Sequence, residues 1–315
     1  MPTDPIETSK SAGERSAVDS SAAGAWLADP STILGLLSAL LVVAYGGVIW
    51  QAAQSWSHNP DYSHGFLVPL VAGYFIWQRR DRLAESFARS QGLGVIVVGI
   101  ALIAVALGMR AIGMYTRVLA LELLSLVPLL VGLTILFCGY RSAVSLAPAF
   151  LFLLFMIPLP GAVMNPVREK LQSTATQISV FGLQTAGVPV MSRGNVIVLP
   201  DTEVGVEEAC SGLRILVSFA AVVVAVTMFI DRGWIEKSVL LLSILPLALL
   251  INAGRIVLVA AAQQYQPGWT DRIHDIAGAT MMVVAVGCLW GLIKFMDLLF
   301  DSAESSTWSA SVRPA

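Results

Sequence analysis

Residues 93–109 read LGVIVVGIALIAVALGM, seventeen positions without a charged, amide or hydroxyl side chain. A soluble helix of that length keeps one polar face toward water, and this run has none. Its solvent is therefore lipid. The whole chain agrees: of 315 residues, 56% are hydrophobic and only 13% charged, and the mean hydropathy is +0.76. Soluble domains carry about 25% charged residues, too many for this chain to match. The sequence predicts an all-α, multi-pass membrane protein.

Working outward from that run, apolar stretches at Thr32–Trp50, Gly65–Gln78, Leu93–Met109, Val118–Phe137, Ala143–Ile157, Gly212–Ile230, Ser238–Ala262 and Ile276–Met296 give about eight spans. A spanning helix needs about 20 residues. The second and fifth runs are short and carry Pro69 and Pro148, so they borrow flanking residues or one is re-entrant. Residues 1–30, rich in Ser, Ala, Gly, Asp and Glu, read as a disordered cytoplasmic tail. No apolar stretch lies close enough to the start for a cleaved signal peptide, so the first span reads as a retained anchor. A transmembrane domain over 31–300 and a second cytoplasmic tail over 301–315 complete the division.

Arg79, Arg80, Arg82 and Arg89 crowd the loop after the second run, whereas Gln51–Ser63 before it holds no Lys or Arg. The positive-inside rule makes the arginine loop cytoplasmic, along with Arg141, the Arg232/Lys237 turn and both termini. A few basic residues are left outside. The outer segments are then Gln51–His64, Pro158–Ser211 and Gln263–Asp275. In the long one, Asn165-Pro166 opens a helix whose Val163, Val167, Leu171, Ala175 and Ile178 recur at helical spacing, a pattern for lying on the membrane surface. Val188–Ser192 and Val196–Leu199 flank Arg193-Gly194-Asn195 as a small hairpin.

The net charge of -2 offers no basic face for nucleic acid. Three cysteines, Cys138, Cys210 and Cys288, form no CxxC pair and no zinc-spaced cluster, so neither a metal nor another cofactor is expected. Cys138 and Cys288 sit in apolar runs as small hydrophobes.

Cys210 stands where the sixth run begins, at a helix N-terminus that favours a thiolate, with Arg214 four residues on and on the same face. Glu207 and Glu208 oppose that effect, and the position also suits any small residue. Arg255 lies about 10 Å below the outer end of the seventh run, where a guanidinium needs a partner, a wet cavity or a path to the interface. Asn252, one turn away, can help satisfy it. His274, at the outer entry of the eighth run, suits general acid/base work and equally an interfacial position. Together the three supply a thiol, a fixed cation and a base, the parts of acyl transfer through a thioester. Ser211 either caps the sixth helix or meets a substrate. Asp61-Tyr62-Ser63-His64-Gly65 either lines the same outer surface or shapes the entry to the second run, and Glu122 pairs with an arginine. These weaker features read more simply as structural.

At these residues the chain resembles the exosortase family of bacterial membrane transpeptidases. The resemblance is carried, in order, by Pro60-Asp61-Tyr62-Ser63-His64-Gly65-Phe66-Leu67-Val68-Pro69, Ile157-Pro158-Leu159-Pro160, Gly194-Asn195-Val196-Ile197, Glu208-Ala209-Cys210-Ser211-Gly212-Leu213-Arg214, Asn252-Ala253-Gly254-Arg255-Ile256 and His274. It implies a cysteine peptidase-like enzyme in the bacterial inner membrane, with its site facing the periplasm. The family's nucleophile, arginine and histidine fall on Cys210, Arg255 and His274, with Arg214, Asn252, Ser211 and His64 in supporting places. The implied partners are exported proteins ending in a Pro-Glu-Pro motif, a transmembrane helix and a basic tail. A link to exopolysaccharide production follows from the same resemblance. The competing reading is a non-enzymatic exporter component for polysaccharide, using Arg255, Glu122 and Arg214 as a polar pathway.

Overall fold

The computed structural model describes residues 30–86, 92–206, 212–265, 268 and 270–311. Each of the eight apolar runs is helical. The first is α1 (Pro30–His58), and the second is a 3-10 helix (Pro60–Phe66) followed by α2 (Leu67–Trp77). A short α3 (Arg80–Ser86) carries part of the arginine loop, and the third run is α4 (Leu93–Thr116). The fourth is α5 (Leu119–Leu124) and α6 (Leu126–Cys138), and the fifth is α7 (Tyr140–Phe152) closed by a 3-10 turn (Leu153–Met156). After the outer segment come α9 (Leu213–Phe229), α10 (Trp234–Leu242), α11 (Ile244–Tyr265) and α12 (Thr270–Ser311).

Two of these runs are broken for one shared reason. Pro128 and Pro246 have no N–H for the carbonyls of Leu124 and Leu242, the last residues of α5 and α10. In the gaps, Ser125 Oγ donates to the Glu122 carbonyl at 2.5 Å and Ser243 Oγ to that of Leu240 at 2.7 Å. Such back-bonding gives one nearby carbonyl a donor at each break and bends the helix.

Among the described residues, four helices or joined pairs are long and apolar enough to cross a membrane: Leu93–Thr116, Leu119–Cys138, Trp234–Tyr265 and Ile276–Leu299. A bent pair raises the number to five. Two of the others fall short in length. Helix α2 has 11 residues and α9 has 17, about 25 Å at 1.5 Å per residue against a core of about 30 Å. Helix α1 has 29 residues, but several side chains at its start lie outside the described ones.

The bent pair joins α7 and its 3-10 turn to α8 (Gly161–Thr185) at 85°. The bend makes the pair a broken span or a re-entrant loop. The start of α8 differs from the sequence reading: it begins at Gly161 rather than at Asn165, and Pro166 lies inside it. The hydrogen bond lost at the proline is offset by Met164, which the extra turn buries against Leu171 and Leu213.

The expected hairpin is present but is part of a three-stranded meander. Strands β1 (Met191–Arg193), β2 (Val196–Val198) and β3 (Glu203–Gly205) pair antiparallel, with Arg193 opposite Val196 across a two-residue Gly194-Asn195 turn. Gly194 takes φ +62°, which its lack of a Cβ permits. Ile197, Leu199, Val190 and Val206 from the meander pack beneath Ala175, Val180, Ile256 and Ala260 of α8 and α11.

Polar contacts sort to two ends of the bundle. At one end, Trp56, Tyr62 and Asp61 reach Met156, Leu159, Arg168 and Arg214. At the other, Arg232 pairs with both Glu236 and Asp297. The segments expected outside meet one another, and the turn after α9 meets the far end of α12.

Candidate active site

The site is built where the Pro60–Phe66 3-10 helix, α8, α9 and α11 converge. Asn59 caps the 3-10 helix, its Oδ1 accepting from the Asp61 N–H at 3.0 Å, with Pro60 pre-set at the first position. The cap fixes the direction of Asp61. Its carboxylate then accepts from Arg168 Nη2 of α8 at 3.0 Å and from Arg214 Nε of α9 at 3.5 Å. Asp61 is 18% exposed, Arg168 22% and Arg214 45%, so water screens the Arg214 contact most. One carboxylate thus holds two guanidinium groups.

His64, one turn on, ties the same segment to the bundle. Its Nε2 lies 3.0 Å from the Phe155 carbonyl, which only accepts, so Nε2 carries the proton. Nδ1 is then the acceptor for the Ser218 hydroxyl at 3.2 Å. Both ring nitrogens are engaged. Burial pushes His64 below the ordinary imidazole range, ahead of the opposing Phe155 hydrogen bond and the Asp61 charge. As pH falls through the ordinary value of 6.5, the unfolded chain therefore protonates before the folded one, and folding stability drops. The thermal midpoint in detergent should fall between about pH 7.5 and about pH 5.5, and His64→Gln should lessen that fall. Equal pH dependence in both proteins would count against the assignment.

Tyr62 and Trp56 complete the clamp. The Leu159 N–H donates to the Tyr62 hydroxyl at 3.1 Å, and Trp56 Nε1 donates to the Met156 carbonyl at 2.8 Å. Burial raises the Tyr62 phenol above its usual range, keeping it protonated. Gly65 is required here, because a Cβ would come within 2.6 Å of the Trp56 indole. Two stretches that the sequence offered separately, Pro60–Pro69 and Ile157–Pro160, are thus one unit.

Arg255 is buried in α11 at 6% exposure, and Asn252, one turn earlier, is fully buried. Their helix packs closely on α8 through small residues. Ser179 Oγ reaches the Ala253 carbonyl at 3.2 Å, and Ala175 and Ala260 are buried in the same seam. Gly212 opens α9 at φ +81°, and a Cβ there would lie 2.9 Å from Asn252 Nδ2. Only glycine both adopts that conformation and lets the chain approach Asn252 so closely. On the upstream side, Gln172 of α8 donates to the Val206 carbonyl, and the Val206 N–H donates to Asn195 at 2.9 Å.

Cys210 and Ser211 lie outside the described residues, as does the His274 side chain, although the His274 backbone belongs to α12. Of the remaining expected site residues, Arg214 and His64 meet α9 partners or neighbours through one 3-10 helix. Asn252 stands between Arg255 and Gly212. The sequence reading took Asp61 as structural and gave no role to Arg168 or Ser218. A signal for the first two existed: basic residues outside, against the positive-inside rule, call for an anion, and Asp61 lies in the one outer loop without Lys or Arg. Among the described residues Glu122 makes no ion pair with an arginine; it lines a separate cavity whose walls include neither Arg214 nor Arg255.

The sequence model of the family described as Transmembrane exosortase (Exosortase_EpsH) matches residues 56–291. That stretch contains every residue of the cluster described above. No curated protein and no solved structure matches the chain.

Proposed function

The chain belongs to the transmembrane exosortase family, and from that membership we propose that it is a membrane-embedded cysteine transpeptidase working through a thioester on Cys210. It crosses the bacterial inner membrane about eight times, with its site toward the periplasm. Its substrates are exported proteins carrying a Pro-Glu-Pro motif, a transmembrane helix and a basic tail, and its natural setting is exopolysaccharide production.

The reading rests most on the contact between Gly212 and Asn252. Gly212 follows Cys210 by two residues, and consecutive Cα atoms are about 3.8 Å apart, so the tether from the thiol-bearing residue to this contact is short. Asn252 in turn is one helical turn from Arg255. In the proposed reaction the Cys210 thiolate attacks the substrate carbonyl, forming an S–C bond, while Arg255 faces the oxyanion. His274 gives its proton to the departing amine as the C–N bond breaks. Neutral His274 then takes a proton from an incoming amine or water, which attacks the thioester and expels the thiolate. Arg214, held by Asp61, adds positive potential beside the thiol, and Ser211 and His64 support the entry of α9.

A membrane-impermeant maleimide applied from the periplasmic side tests this. It is expected to label Cys210 and stop substrate processing, and prior substrate should protect the thiol. Cys138 and Cys288 lie in the apolar helices α6 and α12, away from such a reagent. Full processing with Cys210 labelled would rule the reading out.

A further inference from the structure

A second polar cavity, which this reaction leaves unused, lies between α1, α4 and the start of α5. It measures about 440 Å³ and is lined by Gly47, Gln51, Arg110, Arg117 and Glu122. The Arg110 guanidinium sits 4.3 Å over the Tyr45 ring. Its Nη1 is buried and has no hydrogen-bond partner. Arg117 ends α4 at φ 55°, a left-handed position where glycine is less strained. Glu122 is pressed against α4 at Gly113, where a Cβ would lie 2.6 Å from its Cγ. Among the described residues, no ion pair joins Glu122 to either arginine.

The depth of the cavity decides what can enter it. Arg110 stands six residues before the end of α4, and Gln51 seven before the end of α1, so both lie about 10 Å beneath the helix ends. With spans that end at Trp50 and Met109, as the sequence reads, this is the level where lipid headgroups meet acyl chains, on the side of the Asp61 cluster. Helix α4 is only 11% buried along its apolar window, leaving the cavity's neighbourhood open to lipid. A guanidinium at this depth is costly without an anion. Two arginines suit a phosphate diester, and a carboxylate held apart from them suits an ammonium.

We propose that the cavity binds the headgroup of a zwitterionic aminophospholipid, with its phosphate on Arg110 and Arg117 and its ammonium on Glu122. A headgroup of net negative charge satisfies the arginines but leaves Glu122 opposed.

Native mass spectrometry of the full-length protein in detergent tests this, titrating phosphatidylethanolamine, phosphatidylglycerol and glycerophosphoethanolamine. The expected result is retention of phosphatidylethanolamine about tenfold tighter than phosphatidylglycerol. Arg110→Gln should weaken it about tenfold, and Glu122→Gln should erase the preference between the two lipids while both still bind. Gly47→Leu fills the cavity from a position with nothing within 4 Å of a Cβ, and should block binding without lowering the thermal midpoint. Equal binding of the two lipids by the unaltered protein would overturn the proposal. So would unchanged phosphatidylethanolamine binding in both Arg110→Gln and Gly47→Leu. Displacement of the lipid by an equal concentration of glycerophosphoethanolamine would identify a soluble phosphate ester as the ligand and overturn the lipid assignment.

Discussion

Cys210→Ala is expected to reduce substrate processing by about three orders of magnitude or more, with the protein still inserted in the membrane. The size follows from the division of labour. Without the thiolate no covalent intermediate forms, and a water would have to attack an unactivated peptide carbonyl directly. Cys210→Ser tests the same point more narrowly, since a hydroxyl is far less acidic than a thiol and supplies almost no anionic nucleophile near neutral pH. It should be nearly as inactive as alanine. The check is the ratio of mature to precursor substrate in membranes carrying matched amounts of each variant. Wild-type maturation by Cys210→Ala would remove the thioester step.

Arg255→Gln is expected to slow processing by about 10²–10³-fold, the usual cost of losing one preorganised oxyanion partner. Arg255 is 6% exposed, with Asn252 fully buried one turn away, so its position is fixed before substrate arrives. Arg255→Lys should rescue little, because an ammonium on a flexible stem lacks the planar fork that the site surrounds. The diagnostic split is between binding and chemistry: substrate should still co-purify with Arg255→Gln while turnover is lost. Loss of substrate association with an unchanged turnover of what remains bound would make Arg255 a docking residue instead.

How much of this was legible in the sequence depends on the range of the interaction. The eight helical runs follow from local composition, and each is helical where it was expected. Their interruptions were less visible, because a serine followed three residues later by proline breaks a helix only when tertiary packing holds both halves. Ser125 is one such case, fixed by Tyr45 at 2.8 Å across 80 residues. The start of α8 was read late for a related reason. Asn165-Pro166 is a good local helix opening, but burial of Met164 extends the helix past it. Strand β3 is three residues long and depends on the Leu199–Thr202 turn, where the Leu199 N–H donates to Thr202 at 2.8 Å. No periodicity announces so short an element.

The site divides in the same way. Arg255 and Arg214 could be found from the cost of placing cations where the chain puts them. Asp61 reaches Arg168 across 107 residues and Arg214 across 153, and no local pattern encodes such pairings. His64 is the instructive case. Read from the residues it was more simply structural, and Phe155 and Ser218 occupy both its nitrogens. The role left open by that occupation is the one proposed for His274.

The intermediate itself offers the most direct test. Purified enzyme in which Cys138 and Cys288 are replaced by alanine, leaving Cys210 as its single thiol, would be mixed with a substrate segment and quenched in acid. Peptide mass spectrometry should find the substrate's upstream fragment joined to the Cys210 peptide, and neutral hydroxylamine should release it. Turnover that proceeds with no adduct on Cys210, or with a hydroxylamine-sensitive adduct on another residue, would contradict the account.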